Sequence, residues 1–363
     1  MRKLLLIISI GFVFIYGIAI GHYKLFPFDI LYLVKNKVHK ENNKSPLYEV
    51  FTEEVSNEEL IYPSLLNLND VYIYNKKILI PKGLYSQAYK NIKLGQIEEI
   101  NMASNIEILK INFLLDKKKY SAFAYGKKIK QCENQNNSTA LIIPGSGHNQ
   151  SFKIYKNDPS NYHYGYHEAL KEGGVDNILI QIKPNNDARA WHNGFGKKVS
   201  DNFIFSWQIR MGGSYSISYL IEAMAIVKYI QSCKNKSVVM GLSQGGEAAL
   251  YVALQASPTY AIISSGYSLQ GEYWIPAGFD QLLGIPDSEK IAKKEKFINF
   301  ISNSPTNYFF SWGDNEGLYY GTDAKNQFTK EILDTIDNAT GIIHSKGHRF
   351  PVTEIQNFLK KIR

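Results

Sequence analysis

The chain contains very little cysteine: Cys132 and Cys233 are the only two among its 363 residues. So small a number excludes a disulfide-rich scaffold. The sequence also has no Cys-x-x-Cys pair and no His-Glu-x-x-His array, so the usual zinc-binding patterns are missing. We therefore expect neither a structural nor a catalytic metal site.

The chain also lacks a long block of basic residues, although its formal net charge is +8. The charge comes mostly from lysines that are scattered along the chain and often interleaved with asparagine. A nucleic-acid-binding surface usually concentrates lysine and arginine on one face or along one helix. We interpret the positive charge as a solvated surface and expect no nucleic-acid partner.

A long uncharged segment stands at the N-terminus. Arg2 and Lys3 precede Leu4–Gly21, a run of 18 residues, which is the lower limit for a membrane-spanning helix. Aromatic residues follow it, as at a membrane interface. We predict an uncleaved signal-anchor within residues 1–34, which places the rest of the chain outside the cytoplasm. One alternative is a cleaved signal peptide, which would yield a secreted or periplasmic protein, and another is a buried core helix.

The remaining chain divides into two parts by pattern. Residues 35–104 begin charged and rich in asparagine, and we predict a tether followed by an N-terminal extension. Residues 105–363 show a hairpin pattern and then alternating strand and helix patterns, which predicts an α/β fold with a mostly parallel central sheet flanked by helices. Strands are expected at Ala140–Ile143, Asn177–Ile182, Ser237–Met240, Tyr260–Ser264, Asn307–Ser311 and Gly341–His344. Residues 267–303, between two of these strands, are expected to contribute to a cap.

Residues 238–250 carry the most informative motif. The apolar Val238–Met240 is followed by Gly241-Leu242-Ser243-Gln244-Gly245 and then by an alanine- and leucine-rich run. A strand, a Gly-x-Ser-x-Gly turn and a helix in this order are typical of a nucleophile elbow. We predict Ser243 as the nucleophile and the N–H of Gln244, at the helix N-terminus, as a donor to the oxyanion.

A serine nucleophile needs a base, and the base needs an acid that orients it. The base candidate is His348 and the acid candidate is Asp314, each just beyond the carboxyl end of a predicted strand. Ligands bind at this edge of open α/β sheets. Glu316 competes with Asp314 for the role of the acid, whereas His344 falls within its strand and is a poor base.

The second oxyanion donor is expected in the loop after an earlier strand. The sequence Pro144-Gly145-Ser146-Gly147-His148 fits, because its glycines let the backbone approach a substrate closely, and the Ser146 N–H is the best candidate. A phosphate-binding loop is the alternative. The segment lacks the Gly-Lys-Ser/Thr of a P-loop and the full spacing of a dinucleotide fingerprint.

Over roughly residues 105–363 the chain resembles the α/β-hydrolase superfamily. Gly241–Gly246, Trp312–Asp314 and Gly347–Phe350 match the family's elbow, acid and histidine motifs in order. Residues 206–214 are loosely similar to the segment ahead of the elbow helix in dienelactone-hydrolase-like and acetyl-xylan-esterase-like members. The resemblance implies the α/β-hydrolase fold, a Ser-Asp-His triad, and hydrolysis at a carbonyl, most often of an ester, without a metal or organic cofactor.

We therefore expect a serine esterase that acts through an acyl-enzyme on a small-molecule or glycan ester. A serine peptidase or an acyltransferase would use the same triad, and a non-catalytic binding protein on this fold is a further alternative. The family topology also brings Cys132 and Cys233 to the same end of the sheet, which suggests a disulfide and an oxidising compartment. Aromatic residues near the predicted site would either stack on sugar rings or pack in a cap or core: Tyr162, Tyr164, Tyr166, Trp191, His192 and Tyr267.

Overall fold

The structure, a computed structural model, has a nine-stranded sheet in the part of the chain that it describes. It describes residues 85–361 except 86, 102–106, 130–136, 148–149, 184–214, 271–272, 277–290, 292, 317–327 and 330–332. Within these ranges no helix is long and apolar enough to cross a membrane. The predicted span Leu4–Gly21 and the predicted tether lie outside the described residues.

The strands of the sheet follow the order β1-β2-β3-β5-β4-β6-β7-β10-β11. The first three neighbouring pairs in this order, β1–β2, β2–β3 and β3–β5, are antiparallel, and the remaining five pairs are parallel. A separate antiparallel hairpin is formed by β8 and β9. The strands are β1 (Lys93–Asn101), β2 (Glu107–Leu115), β3 (Lys118–Tyr125), β4 (Ser138–Ile143), β5 (Asn177–Gln181), β6 (Lys236–Leu242), β7 (Tyr260–Ser264), β8 (Tyr267–Gln270), β9 (Tyr273–Pro276), β10 (Asn307–Gly313) and β11 (Ala339–His344).

The antiparallel part of the sheet begins with β1, β2 and β3, each paired with the next. Asp116 and Lys117 join β2 to β3 with φ of 51° and 63°, the left-handed backbone that a two-residue hairpin turn requires. The strand β1 pairs along β2, with a register shift between Leu94 and Ile97. It extends the sheet ahead of residue 105, where the sequence pattern placed the start of the catalytic domain.

Helices pack beside the sheet, and two of them are buried along most of their length. They are α4, which follows β5 in the chain, and α5, which follows β6; their alanine, leucine and isoleucine side chains join the main core. Apolar surface of this kind stabilises by about 25 cal/mol per Å² removed from water. The described helices are α1 (Ala88–Asn91), α2 (Gln150–Tyr155), α3 (Tyr166–Glu172), α4 (Tyr215–Ser232), α5 (Gln244–Ala256), α6 (Lys294–Ser302) and α7 (Val352–Lys361), with a 3-10 turn at Leu333–Thr335.

This architecture confirms the predicted α/β-hydrolase fold, a mostly parallel sheet flanked by helices with the strand–turn–helix unit β6–α5 at its centre. The six predicted parallel strands are all present, and each of their ends lies within two residues of its predicted position. Because parallel strands share an orientation, the loops after β4, β5, β6, β10 and β11 meet at one edge of the sheet. Residues 267–303 contain β8, β9 and α6, and a cap over the site stays a prediction.

Candidate active site

Ser243 occupies the sharp turn between β6 and α5. Its φ of 61° and ψ of −128° lie outside the regions that non-glycine residues ordinarily adopt. Two backbone hydrogen bonds hold the turn: the Ser243 N–H donates to the Ser264 carbonyl of β7 (2.9 Å), and the Ser243 carbonyl accepts from the Glu247 N–H (3.1 Å). Strained backbone of this kind persists only where its surroundings hold it, and it is the conformation expected of a nucleophile elbow.

The loop after β4 packs directly against this elbow. A Cβ on Gly245 would lie 2.1 Å from the Ile143 carbonyl oxygen, and a Cβ on Gly145 would lie 2.8 Å from the Leu242 carbonyl oxygen. Both distances are shorter than any side chain tolerates, so glycine is required at each position. The loop that carries Ser146 therefore lies beside the turn that carries Ser243.

His348 follows β11 and contacts a buried carboxylate. Its Nδ1 lies 3.2 Å from Oε1 of Glu316, which follows β10. The Glu316 side chain is 6% exposed and that of His348 is 43% exposed, so one member of the pair is sheltered while the other faces solvent. The hydroxyl of Ser265, after β7, donates to the same Oε1. The Glu316 carboxylate is therefore held from the neighbouring strand while it contacts the imidazole.

The predicted acid, Asp314, lies in the same turn but is exposed. Its Oδ1 accepts the N–H of Asn315 (2.8 Å), and its own N–H donates to the His344 carbonyl (2.8 Å). The carboxylate for which the structure gives a contact with the His348 ring is that of Glu316, the competing candidate. His344 is buried within β11, as expected, and burial lowers its pKa.

Two polar groups of Gly145 are occupied by buried side chains. The Gly145 N–H donates to Nε2 of His163 (3.0 Å), and the Gly145 carbonyl accepts from Nζ of Lys183 (2.8 Å). His163 and Lys183 are fully buried. Both the N–H and the carbonyl of Gly145 are therefore hydrogen-bonded within the protein, and the N–H is not available to a substrate.

The flanking carbonyls of this loop are also hydrogen-bonded. The hydroxyl of Tyr219 donates to the Pro144 carbonyl, and the hydroxyl of Tyr162 donates to the Ser146 carbonyl (3.1 Å). Proline has no N–H to satisfy. Among the backbone polar groups of residues 144–146, the Ser146 N–H is the one for which the described residues provide no acceptor. An N–H left over in this way is available to bind an oxyanion.

His163 must be neutral to accept the Gly145 N–H. Its Nδ1 lies 2.9 Å from Oδ1 of Asn161, so Nδ1 carries the proton and Nε2 accepts. Burial lowers the pKa of His163 well below 6.5, and the electrostatic interactions with His348 and Lys183 lower it further. The neutral form is therefore the stable one in this position.

Tyr162 contacts both the loop after β4 and His348. Its ring centroid lies 5.3 Å from that of His348, while its hydroxyl bonds to Ser146. Burial raises the pKa of the Tyr162 hydroxyl, which therefore keeps its proton and remains a donor. His348 and the Ser146 loop are in this way brought to the same place.

Gln244 is buried and is the first residue of α5. The first N–H groups of a helix have no intrahelical acceptor, and none of the described residues accepts the Gln244 N–H, so this group can serve as an oxyanion donor. Its side-chain Oε1 accepts from Nζ of Lys183 (3.1 Å). The two predicted donors, Gln244 and Ser146, therefore both neighbour Lys183.

The aromatic residues singled out in the sequence have different surroundings. Tyr267 is fully buried and stacks on Phe297 at 5.1 Å, so it is a core residue. Tyr166 is buried, Tyr164 is exposed at 39%, and Trp191 and His192 lie outside the described residues, as does His148. Tyr162 is the one that the structure places against the His348 ring.

Cys233 is disulfide-bonded, and Cys132, the other cysteine of the chain, lies outside the described residues. No group of three or more histidine, cysteine, aspartate or glutamate side chains within the described ranges is arranged to hold a metal ion.

No protein-family model matches the chain, and no curated protein matches it. Solved structures similar to it include a carbohydrate esterase family 15 glucuronoyl esterase from Caldicellulosiruptor kristjansonii (TM-score 0.44, 12% identity, 77% of this chain and 81% of that one). Another is a glucuronoyl esterase from Solibacter usitatus (0.42, 10%, 82% and 91%). A third is Est1E from Butyrivibrio proteoclasticus (0.38, 13%, 74% and 97%). At these values the function has to be argued from the site's own residues.

Three residues of the site were not predicted from the sequence: Tyr162 as a partner of Ser146, His163 and Lys183. Lys183 carried a usable signal, because it directly follows the predicted strand ending at Ile182, at the edge where the site forms. His163 had none, since only the folded loop brings its ring to Gly145.

Proposed function

We propose that the protein is a serine hydrolase that cleaves a carboxylic ester. Ser243 is the nucleophile, His348 the general base and then the general acid, and Glu316 the residue that orients His348. The N–H groups of Gln244 and Ser146 form the oxyanion hole. The substrate class proposed is a small-molecule or glycan acyl ester.

The reaction follows from these roles. The Ser243 Oγ attacks the ester carbonyl carbon while Nε2 of His348 takes the hydroxyl proton, and the carbonyl electrons move onto oxygen. The oxyanion accepts hydrogen bonds from the two backbone N–H groups. The C–O bond to the alcohol then breaks as His348 returns the proton to the leaving oxygen. Water repeats the sequence on the acyl-enzyme and releases the acid.

The observation that carries the proposal is the strained Ser243 turn beside a loop in which the Ser146 N–H has no acceptor among the described residues. The elbow backbone, the pairing of His348 with a sheltered carboxylate, and the free Ser146 N–H are three parts of one mechanism and come from separate loops. Serine hydrolysis by a base-activated hydroxyl requires all three.

We propose Glu316 rather than the predicted Asp314 as the acid, because the Glu316 carboxylate is sheltered from solvent and contacts the His348 ring. A sheltered carboxylate 3.2 Å from Nδ1 both selects the tautomer that leaves Nε2 free and stabilises the imidazolium that forms in the reaction. An exposed carboxylate is screened by water and does this less well.

The proposed location is outside the cytoplasm, with residues 1–34 as a membrane anchor or a cleaved signal peptide. The disulfide at Cys233 supports an oxidising compartment, because cytosolic thiols are kept reduced. Fractionation of cells that express the full chain tests this: recovery of the protein in a cytosolic fraction with free thiols would contradict the proposal.

The decisive experiment is labelling of the full-length protein with a fluorophosphonate, read by intact mass. One adduct is expected on the wild type and none on Ser243→Ala. Ser232→Ala is a matched control, because Ser232 ends α4 at the opposite edge of the sheet and bonds only locally to Tyr229. It should label like the wild type.

A folded wild type that takes up no adduct would overturn the proposal and favour a binding protein. With labelling established, a panel of acyl esters and peptides separates the esterase from a peptidase. Product that appears only with an added sugar or lipid hydroxyl would instead identify an acyltransferase.

A further inference from the structure

Lys183 is fully buried two residues beyond the end of β5, at the edge of the sheet where the candidate site lies. Its Nζ donates to the Gly145 carbonyl (2.8 Å) and to Oε1 of Gln244 (3.1 Å) and lies 5.6 Å from the centroid of the Tyr219 ring. Burying a lysine is costly unless its ammonium is hydrogen-bonded. A buried, hydrogen-bonded ammonium therefore lies against the loop that carries Gly145 and Ser146.

The first of these contacts acts on a single peptide group. The carbonyl of Gly145 and the N–H of Ser146 are the two ends of one planar amide, whose resonance couples oxygen to nitrogen. A donor on the carbonyl draws electron density to oxygen and makes the N–H a stronger donor, an effect of roughly 10–30% per bond in hydrogen-bonded chains. The ammonium thus strengthens the N–H that is left free for an oxyanion.

The second contact holds the other half of the same site. Gln244 contributes the second proposed N–H donor, and its side chain is tied to the same Nζ. One cation therefore connects the elbow helix to the loop after β4 and fixes the spacing of the two donors. Fixed donors cost no reorganisation when charge develops in the transition state.

We propose that Lys183 is a positioning residue that pre-organises and polarises the oxyanion hole from behind. This inference rests on the proposed function, since it assigns a role within the same hydrolysis. Lys183 does not touch the reacting atoms; it acts through the Gly145–Ser146 peptide and the Gln244 side chain. It therefore stabilises the tetrahedral oxyanion more than the bound ester.

The test compares two variants. Lys183→Met removes the positive charge and the hydrogen bonds to Gly145 and Gln244, whereas Lys183→Gln removes the charge but keeps a side-chain N–H that can donate. Turnover of a p-nitrophenyl ester is divided by the number of serines that a fluorophosphonate labels, so that unfolded protein does not count. We expect kcat per labelled serine to fall about 100-fold in Lys183→Met and about 10-fold in Lys183→Gln, with KM changed by less than about 3-fold.

Affinity for a trifluoromethyl ketone, which forms a tetrahedral oxyanion on the serine, gives a second readout. It should fall by about the same factor as kcat, because both report on the oxyanion. A merely structural lysine would lower the labelled fraction but leave both quantities per labelled serine unchanged.

Lys228→Met is the matched control. Lys228, on α4, also donates to a backbone carbonyl, that of Tyr89 (2.7 Å), and lies 5.0 Å from the Tyr89 ring centroid. Its removal should leave kcat per labelled serine within about 2-fold of the wild type.

Gln244→Met keeps both backbone donors and removes one acceptor of Lys183, and it serves if the Lys183 variants do not fold. We expect a 3- to 10-fold lower kcat with KM unchanged, by the same reasoning on donor positioning. Wild-type-like kcat per labelled serine in the folded variants, or a loss confined to KM, would overturn the inference. A wild type that neither labels nor turns over would instead refute the proposed hydrolase itself.

Discussion

Removing the carboxylate of Glu316 should abolish most of the catalytic rate while leaving the fold intact. Glu316→Gln preserves the shape of the side chain but leaves Nδ1 of His348, now 3.2 Å from a neutral amide, without a charged partner. The amide can also donate to Nδ1 and so select the wrong tautomer, in which Nε2 carries a proton and cannot accept one from Ser243.

The magnitude follows from the geometry. Two unit charges 3.2 Å apart attract by about 5 kcal/mol at an effective dielectric of about 20 and by about 1 kcal/mol in bulk water. Glu316 is sheltered and His348 is 43% exposed, so the imidazolium gains about 3 kcal/mol, between these limits. This corresponds to roughly 100-fold in rate, and tautomer selection brings the expected loss to about 1,000-fold in kcat.

The assay is kcat for ester hydrolysis, normalised to the concentration of folded protein, with Asp314→Asn as the matched control. Because Asp314 is exposed and its Oδ1 accepts the neighbouring Asn315 N–H, its variant should retain kcat within about 3-fold. A large loss in Asp314→Asn with near-wild-type Glu316→Gln would refute the reasoning and restore Asp314 as the acid.

Two buried titratable groups should give opposite pH dependences of stability. Glu247 is buried, neither of its carboxylate oxygens is hydrogen-bonded in the part of the chain that the structure describes, and burial raises its pKa well above 4.5. The free energy of unfolding should therefore fall by ~1.4 kcal/mol per pH unit between about pH 4.5 and the folded-state pKa, because the unfolded chain releases a proton that the folded chain keeps. Glu247→Gln should remove this contribution when unfolding by urea is measured across this pH range. An unchanged slope in that variant would contradict the assignment. The lowered pKa of His163 has the reverse sign: stability should fall as the pH drops below about 6.5, since the unfolded chain then binds a proton that the folded chain refuses. In His163→Gln, the slope of the free energy of unfolding against pH should decrease by the contribution of one proton, whereas His167→Gln, at an exposed position, should keep the wild-type slope. Equal slopes in the two variants would show that another group titrates.

The sequence alone was sufficient to predict the elements that are determined by local pattern. Gly241 and Gly245 around Ser243 predict the elbow, because only glycine permits the backbone approach that the turn makes. The parallel strands were predictable because strands buried on both faces are short apolar runs. The position of His348 followed from the strand that precedes it.

We propose Glu316 rather than Asp314 as the acid because of a tertiary contact that the sequence does not show. The two carboxylates lie two residues apart in one turn, and either could orient a histidine on sequence grounds. The side chain that reaches His348 is the one that Ser265 holds from the neighbouring β7, a contact between residues far apart in the chain. No local pattern contains that information.

The role that we propose for Lys183 likewise depends on packing, and packing adds support to Ser146, which the sequence already predicted as a donor. The Ser146 N–H is distinguished because Lys183, His163 and two tyrosines occupy the other polar groups of its loop. Those partners come from three separate segments, the loop that carries Tyr162 and His163, the residues after β5 and helix α4, which meet only in the folded protein. A sequence pattern records which groups a loop possesses, whereas only the fold determines which of them remain free for a substrate.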